Sequence, residues 1–280
     1  MIFLFLAILC SSSLALILKH GHVKNANIAL LINGNYLTAS LIALGFILLK
    51  YGFHYSTEAV LFGAVLGILL AGTFFVYSKA ISLAGTALAT VSARLSVLIP
   101  VLLSILLFSE SPNIKMSFGF LLALVTLYLF YLSLKNHNNG VSSTSKYFYL
   151  FALLLGIGII DFSLKIFEHK FIPEEKGVFV FTMFFSAFVY TLIYLLIKKV
   201  KFDKSTYRLG LILGIPNVLA IHFLLAALSE LPAIVVFPVM NIGVLVVTAT
   251  AAYIFWKEKI NLYGRIAIAV GIAAILLLKL

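Results

Sequence analysis

The stretch Ala233 to Gly264, AIVVFPVMNIGVLVVTATAAYIFWKEKINLYG, decides the fold, because an earlier stretch repeats its plan. From Thr86, TALATVSARLSVLIPVLLSILLFSESPNIKMSFG is again a long apolar run, closed by Glu110 where the other is closed by Glu258. In both, an asparagine follows the glutamate by three residues (Asn113, Asn261), and the glutamates stand 258 − 110 = 148 positions apart in a chain of 280. An interval of roughly half the chain is the mark of a duplication.

The match extends outward from this pair. Gly63 and Gly67 correspond to Gly210 and Gly214 at a spacing of 147, Ser82 corresponds to Ser229, and Leu14 to His20 (LALILKH) resembles Ser163 to His169 (SLKIFEH) at 149. The near-constant offset predicts two repeats, residues 1–134 and 147–280, joined by the polar linker Lys135 to Lys146, KNHNNGVSSTSK.

Composition sets the class. Hydrophobic residues make up 63% of the chain, charged ones 10%, and the mean hydropathy is +1.18. No water-facing surface can be built from that composition, whereas lipid asks for none. The formal charge of +11 gathers at the ends of apolar runs, where it suits anionic headgroups, and no basic stripe interleaved with aromatics points to nucleic acid. The single cysteine, Cys10, excludes an intrachain disulfide.

Ten apolar runs follow in order: 2–18, 27–49, 59–82, 86–108, 114–134, 147–167, 178–197, 207–228, 233–255 and 262–279. Each is near the roughly 20 residues that cross a bilayer, and in lipid such segments must be helical so that every backbone group is paired. The fold class expected is an all-α membrane protein of ten transmembrane helices, arranged as two inverted five-helix repeats. Inversion follows from the odd number, since a five-helix half makes the next half enter from the opposite side. Asn27, Asn113 and Asn261 stand where N-caps belong, and Pro232 at a helix start. The first run, MIFLFLAILCSSSLALIL, lacks the basic flank of a signal peptide and is read as a retained helix.

The five-plus-five layout, the apolar helix with a central proline ending in glutamate (RLSVLIPVLLSILLFSESPN) and its counterpart FPVMNIGVLVVTATAAYIFWKEKIN resemble the drug/metabolite transporter superfamily, EamA type. The resemblance covers essentially the whole chain. It implies a central cavity between the repeats and transport of amino acids, sugars, nucleotide sugars or drugs. The family's glutamates after the fourth and ninth helices match Glu110 and Glu258 and are taken as structural. The positively charged loop KKVKFDKSTYR departs from the sparsely charged second halves of such proteins.

Polar residues within the spans carry the functional expectation, because a charge at the bilayer centre costs at least ~2.5–3.5 kcal/mol on insertion scales. Arg94 is the ninth of 23 residues in its run, which puts it roughly 4–5 Å from mid-span. It is expected in a substrate site, against a structural ion pair or carbonyl anchor. Asn33, Asn35 and Tyr36 lie at or near its depth, with helix–helix hydrogen bonding as the alternative. Asn241 also falls near mid-depth. Asp161 and His222 lie at one depth and can hold a transportable proton; alternatively Asp161 pairs with Lys165 four residues on. Pro100, Pro216 and Pro238 interrupt three helices and permit bending.

His20 and His22 have too few companions for a metal site, and no cofactor is expected. No Walker loop, HExxH, GxSxG or carboxylate cluster occurs, so ATP-driven transport and metallohydrolysis are not expected. The function predicted is secondary transport, or facilitation, of a small polar metabolite with an anionic group, by alternating access in a monomer within a bacterial cytoplasmic membrane. The alternative is a membrane-embedded enzyme acting on a lipid or isoprenoid, which would need convergent acids, bases or metal ligands. Loops after the odd-numbered helices hold 13 of the 20 Lys and Arg, which places both termini outside by the positive-inside rule.

Overall fold

The structure, a computed structural model, describes residues 1–23, 27–135, 144–257 and 261–279. Every regular element among them is helical: α1 (Ile2–Val23), α2 (Ile28–Phe46) running into a π-helical turn (Ile47–Tyr51), α3 (Thr57–Leu95), α4 (Leu98–Phe108), α5 (Ile114–Lys135), α6 (Thr144–Lys170), a 3-10 turn (Pro173–Glu175), α7 (Lys176–Ile197), α8 (Lys204–Leu228), α9 (Ala233–Trp256) and α10 (Leu262–Lys279). The three predicted N-caps are formed. Asn27 Oδ1 accepts from Leu30 N at 3.3 Å, Asn113 Oδ1 from Met116 N at 2.8 Å and Asn261 Oδ1 from Gly264 N at 2.9 Å. Outside the apolar segments, exposed Asp203 accepts from Thr206 N at 2.7 Å ahead of α8. The Thr206 hydroxyl and backbone bonds hold its carboxyl below the usual carboxylate range.

Among the described residues, eight segments are long and apolar enough to cross a membrane: Ile28–Lys50, Thr57–Ala84, Leu88–Phe108, Ile114–Ser133, Ser145–Lys170, Pro173–Ile197, Lys204–Leu228 and Ala233–Phe255. Ile2–Leu18 and Leu262–Leu278 are shorter apolar helices. Large side chains on their flanks face outward, with Leu49 89%, Ile114 75% and Leu106 74% exposed, which water would penalise and acyl chains accept. These features are those of a multi-pass membrane protein.

One helix boundary moves. The sequence places a break between runs 59–82 and 86–108, yet α3 continues to Leu95 and the interruption falls at Ser96 and Val97. Proline explains it. Pro100 has no N–H for the Ser96 carbonyl and its ring crowds that group, so the turn ahead of it tightens to an Ile99 N to Ser96 O bond of 3.0 Å. Glu258 and most of the expected linker (136–143) lie outside the described residues.

The chain forms two compact units. The first takes Met1, Gly72–Lys165 and Ala227–Leu280; the second takes Ile2–Ala71 and Ile166–Ala226. Each therefore draws on both halves of the sequence. In the first, α5 packs on α10, and in the second, α2 packs on α7. Both pairs start 148 residues apart (262 − 114 and 176 − 28), and α4 and α9 end at the same interval, at Phe108 and Trp256.

Close helix crossings recur at the same offset within the second unit. A methyl on Gly210 would collide with the Leu31 carbonyl, and one on Gly63 would meet the equivalent carbonyl of Phe179 at 2.8 Å. One turn further, Gly214 stands 2.5 Å from Asn35 O by the same measure, and Gly67 stands against Met183 O. Only a residue without a side chain lets α8 approach α2, and α3 approach α7, this nearly. In the first unit, Gly119 faces Leu278, and Asn261 joins α10 to α5 by accepting from Ser133 Oγ at 2.7 Å and donating to Ser133 O at 2.9 Å.

Candidate functional site

Arg94 stands in the last turn of α3, immediately before the Ser96 break. Its Nη1 donates to Asn241 Oδ1 at 3.1 Å. Asn241 is held in turn, since its Nδ2 donates to Phe237 O on its own helix at 3.0 Å, which turns Oδ1 toward the guanidinium. The asparagine is 6% exposed, so this amide forms a firm acceptor that positions but does not neutralise Arg94. Ser92, one half-turn earlier, fastens α3 to α6 through Oγ to Leu150 O at 2.5 Å.

The opposite charge comes from α6. Asp161 acts electrostatically on Arg94. Among the described residues the Asp161 carboxylate has no hydrogen-bond partner and no cation within 4.0 Å. The arrangement is a separated pair: a guanidinium fixed by an amide, and a half-buried carboxylate near enough to feel it but not bonded to it. Chemically, such a pair can hold a small anion on the guanidinium while leaving an acid beside it to take up or release a proton.

Lys165, one turn past Asp161, instead meets Glu110, with Nζ 3.5 Å from Oε1. The same carboxylate accepts from Ala233 N at 3.0 Å and Ile234 N at 3.4 Å, so Glu110 caps α9 and ties it to α6. A carboxylate at a helix N-terminus satisfies orphan donors and suits the dipole. This geometry gives Glu110 a structural part.

The remaining predicted residues belong to the second unit. Asn33 donates through Nδ2 to Thr191 Oγ1 at 3.0 Å and Phe188 O at 3.2 Å, tying α2 to α7. Asn35 Oδ1 accepts from Asn217 Nδ2 of α8 at 3.0 Å, and Tyr36 packs its buried ring near Phe184. These three make helix–helix contacts. The His222 ring stacks on Phe46 at 5.0 Å, and its carbonyl accepts from Lys176 Nζ at 3.0 Å. The expected residues thus divide into Arg94, Asp161 and Asn241 in one unit and Asn33, Asn35, Tyr36 and His222 in the other.

The fold adds two polar residues to those expected, Asn217 and Lys176. Asn217 follows Pro216 in the middle of an apolar helix, and a polar residue there is a signal the sequence does carry; Lys176 sits so near a span end that it looks like any snorkelling lysine.

Taken together, the helices and their apolar, outward-facing side chains define a polytopic helical membrane protein. No family model matches the chain. A protein of Haemophilus influenzae, described as an uncharacterized protein, is 31% identical over 287 aligned positions that cover 97% of this chain and 95% of the relative. This chain belongs to the same family as that protein. A solved crystal structure of a protein shares the fold, with a TM-score of 0.79 at 18% identity over 100% of this chain and 97% of the other.

Proposed function

We propose that the chain is a secondary transporter or facilitator that moves a small polar metabolite with an anionic group across the cell membrane by alternating access. In this reading the ten apolar segments are two inverted repeats, residues 1–134 and 147–280, of the EamA type. The observation that carries it is the hydrogen bond between Arg94 and Asn241, two residues 147 positions apart. That is the local offset of the repeat, since Gly63 and Gly210, and Ser82 and Ser229, are separated by the same number. Residues equivalent under a two-fold axis touch only where they lie near the axis. On this reading Arg94 lies near the pseudo-axis of the two halves, the region in which transporters built from inverted repeats hold their substrate.

Arg94 supplies the anion contact and Asn241 sets its direction. Asp161, whose charge acts on Arg94, is the proposed proton carrier, with His222 as a second one. Solute flux into sealed proteoliposomes containing the purified chain tests the reading. Uptake of an anionic metabolite that vanishes when Arg94 is replaced supports it, and turnover of an added lipid in place of flux overturns it.

A further inference from the structure

We infer that the loop joining α7 to α8 is a binding surface for anionic phospholipid headgroups, carried by Lys198, Lys199, Lys201 and Lys204 with Phe202 among them. The apolar segment Pro173–Ile197 ends just before Lys198 and the next one starts at Lys204, so the loop lies where the chain leaves hydrocarbon. All five side chains are exposed. The backbone at Lys199 shows that the turn itself does not ask for a lysine. α7 closes with Lys199 N donating to Leu196 O at 3.2 Å and Val200 N to Leu195 O at 3.1 Å, a pair of bonds that puts Lys199 in the left-handed region, at φ +49°. Glycine adopts that conformation freely and lysine only at a cost, which an exposed side chain cannot recover by packing. Strain kept at such a place points to a function for the side chain.

The first half of the chain builds a matching loop without the charge. Gly52 stands 147 positions before Lys199, the interval that separates Gly63 from Gly210, and it too has a positive φ, of +69°. At the same interval Ser56 and Asp203 each cap the following helix, Ser56 Oγ accepting from Ala59 N at 3.1 Å and Asp203 Oδ2 from Thr206 N at 2.7 Å. The aromatic residue ahead of each cap, Tyr55 or Phe202, is 67% exposed in both loops. Turn, cap and aromatic therefore recur. Residues 51–57, YGFHYST, hold no lysine or arginine, whereas 198–204, KKVKFDK, hold four lysines. The charge is what the second loop adds to a turn that folds without it.

Among the described residues no carboxylate lies within 4.0 Å of the four ammonium groups. Asp203, the acid in the loop, turns its oxygens to the Thr206 amide and, at 3.4 Å, the Ser205 amide. At this depth the neighbours of the loop are lipid headgroups, and each lysine held near an anionic leaflet strengthens the attraction about fivefold. Phe202 favours a lipid over an acidic protein as the occupant, because an exposed ring between lysines suits the boundary of headgroups and acyl chains. Its ring stays with α8 through contact with Tyr207, the centroids being 5.2 Å apart. None of these residues enters the transport reading, and lipid binding is measured without a transported solute, so failure of either leaves the other standing.

Native mass spectrometry of the full chain in detergent tests this with phosphatidylglycerol and, as a lipid without net charge, phosphatidylcholine. Phosphatidylglycerol should bind more tightly than phosphatidylcholine. Its affinity should fall about fivefold for Lys199→Gly and about fivefold again for Lys199→Gly/Lys201→Gln, with phosphatidylcholine unchanged. Glycine suits the turn, so Lys199→Gly should melt no lower than wild type, which separates loss of charge from loss of fold. Lys79→Gln/Lys115→Gln removes two exposed lysines from α3 and α5 and should leave phosphatidylglycerol binding as it was. Unchanged affinity in Lys199→Gly/Lys201→Gln, an equal loss in the Lys79/Lys115 pair, an equal loss of phosphatidylcholine, or a lower melting temperature in Lys199→Gly overturns the surface.

Discussion

Arg94 and Asn241, 147 residues apart, share a hydrogen bond of 3.1 Å, and the asparagine is oriented for it by a second bond to Phe237 O. The guanidinium is thus aimed without being neutralised. Replacing Asn241 by Leu should leave an inward donor without its acceptor and lower stability by about 1–3 kcal/mol. Asn241→Asp should instead put a carboxylate against Arg94, keep or raise the melting temperature, and abolish anion binding. Thermal unfolding of the two purified variants, with binding of the identified substrate, separates these effects. Equal melting and equal binding in both would show that the amide does not position Arg94.

Glu110 holds three partners, the Ala233 and Ile234 amides and Lys165. Glu110→Ala should cost about 1–3 kcal/mol, combining a lost helix cap with a lost charge-assisted contact. Glu110→Gln retains an oxygen for one amide and should recover about half. A melting curve of Glu110→Ala that matches wild type would contradict the capping role.

The paired crossings make a symmetric prediction. Gly67→Ala and Gly214→Ala each place a methyl against a backbone carbonyl, of Met183 and of Asn35, which cannot yield as a flexible side chain would. Each should destabilise by about 1–3 kcal/mol. At Gly45 nothing lies within 4 Å of the place a methyl would take, so Gly45→Ala should be neutral or slightly stabilising. Denaturation of the three variants side by side checks it, and a harmless change at either crossing breaks the correspondence.

Asp161 carries the proposed proton. Asp161→Asn keeps the size of the side chain and removes its titration, so acceleration of uptake by an imposed pH gradient should disappear while equilibrium exchange of substrate continues. His222→Gln tests the second carrier in the same assay. Gradient-driven uptake that survives in Asp161→Asn would remove it from the coupling step.

Much of this is legible in the sequence because membrane folding writes it there. Apolar length announces the spans, the Asn caps mark three helix starts, and the 148-residue interval between Glu110 and Glu258 foretells the intervals between α2 and α7 and between α5 and α10. Depth can be counted along a chain, but azimuth cannot. Asn33, Asn35 and Arg94 look alike on a one-dimensional scale, whereas the fold places the asparagines against α7 and α8 and Arg94 against α9. The helix break at Ser96 is hidden because the apolar runs are divided at residues 83–85, while the stronger influence is Pro100 acting one turn upstream. The structural part of Glu110 is suggested by the family resemblance, but its partner Lys165 is not, because spacing along α6 points that lysine to Asp161 and hides the neighbour on another helix.

The most direct test of the transport reading compares the metabolites accumulated by three strains: one with the wild-type gene, one without it, and one carrying Arg94→Lys at equal membrane abundance. Lysine keeps the charge but loses the planar fork, which should weaken anion binding by about 1–3 kcal/mol. One or more anionic metabolites should differ between wild type and the deletion, and Arg94→Lys should resemble the deletion. An Arg94→Lys profile identical to wild type, or a transported metabolite that is cationic, would contradict it.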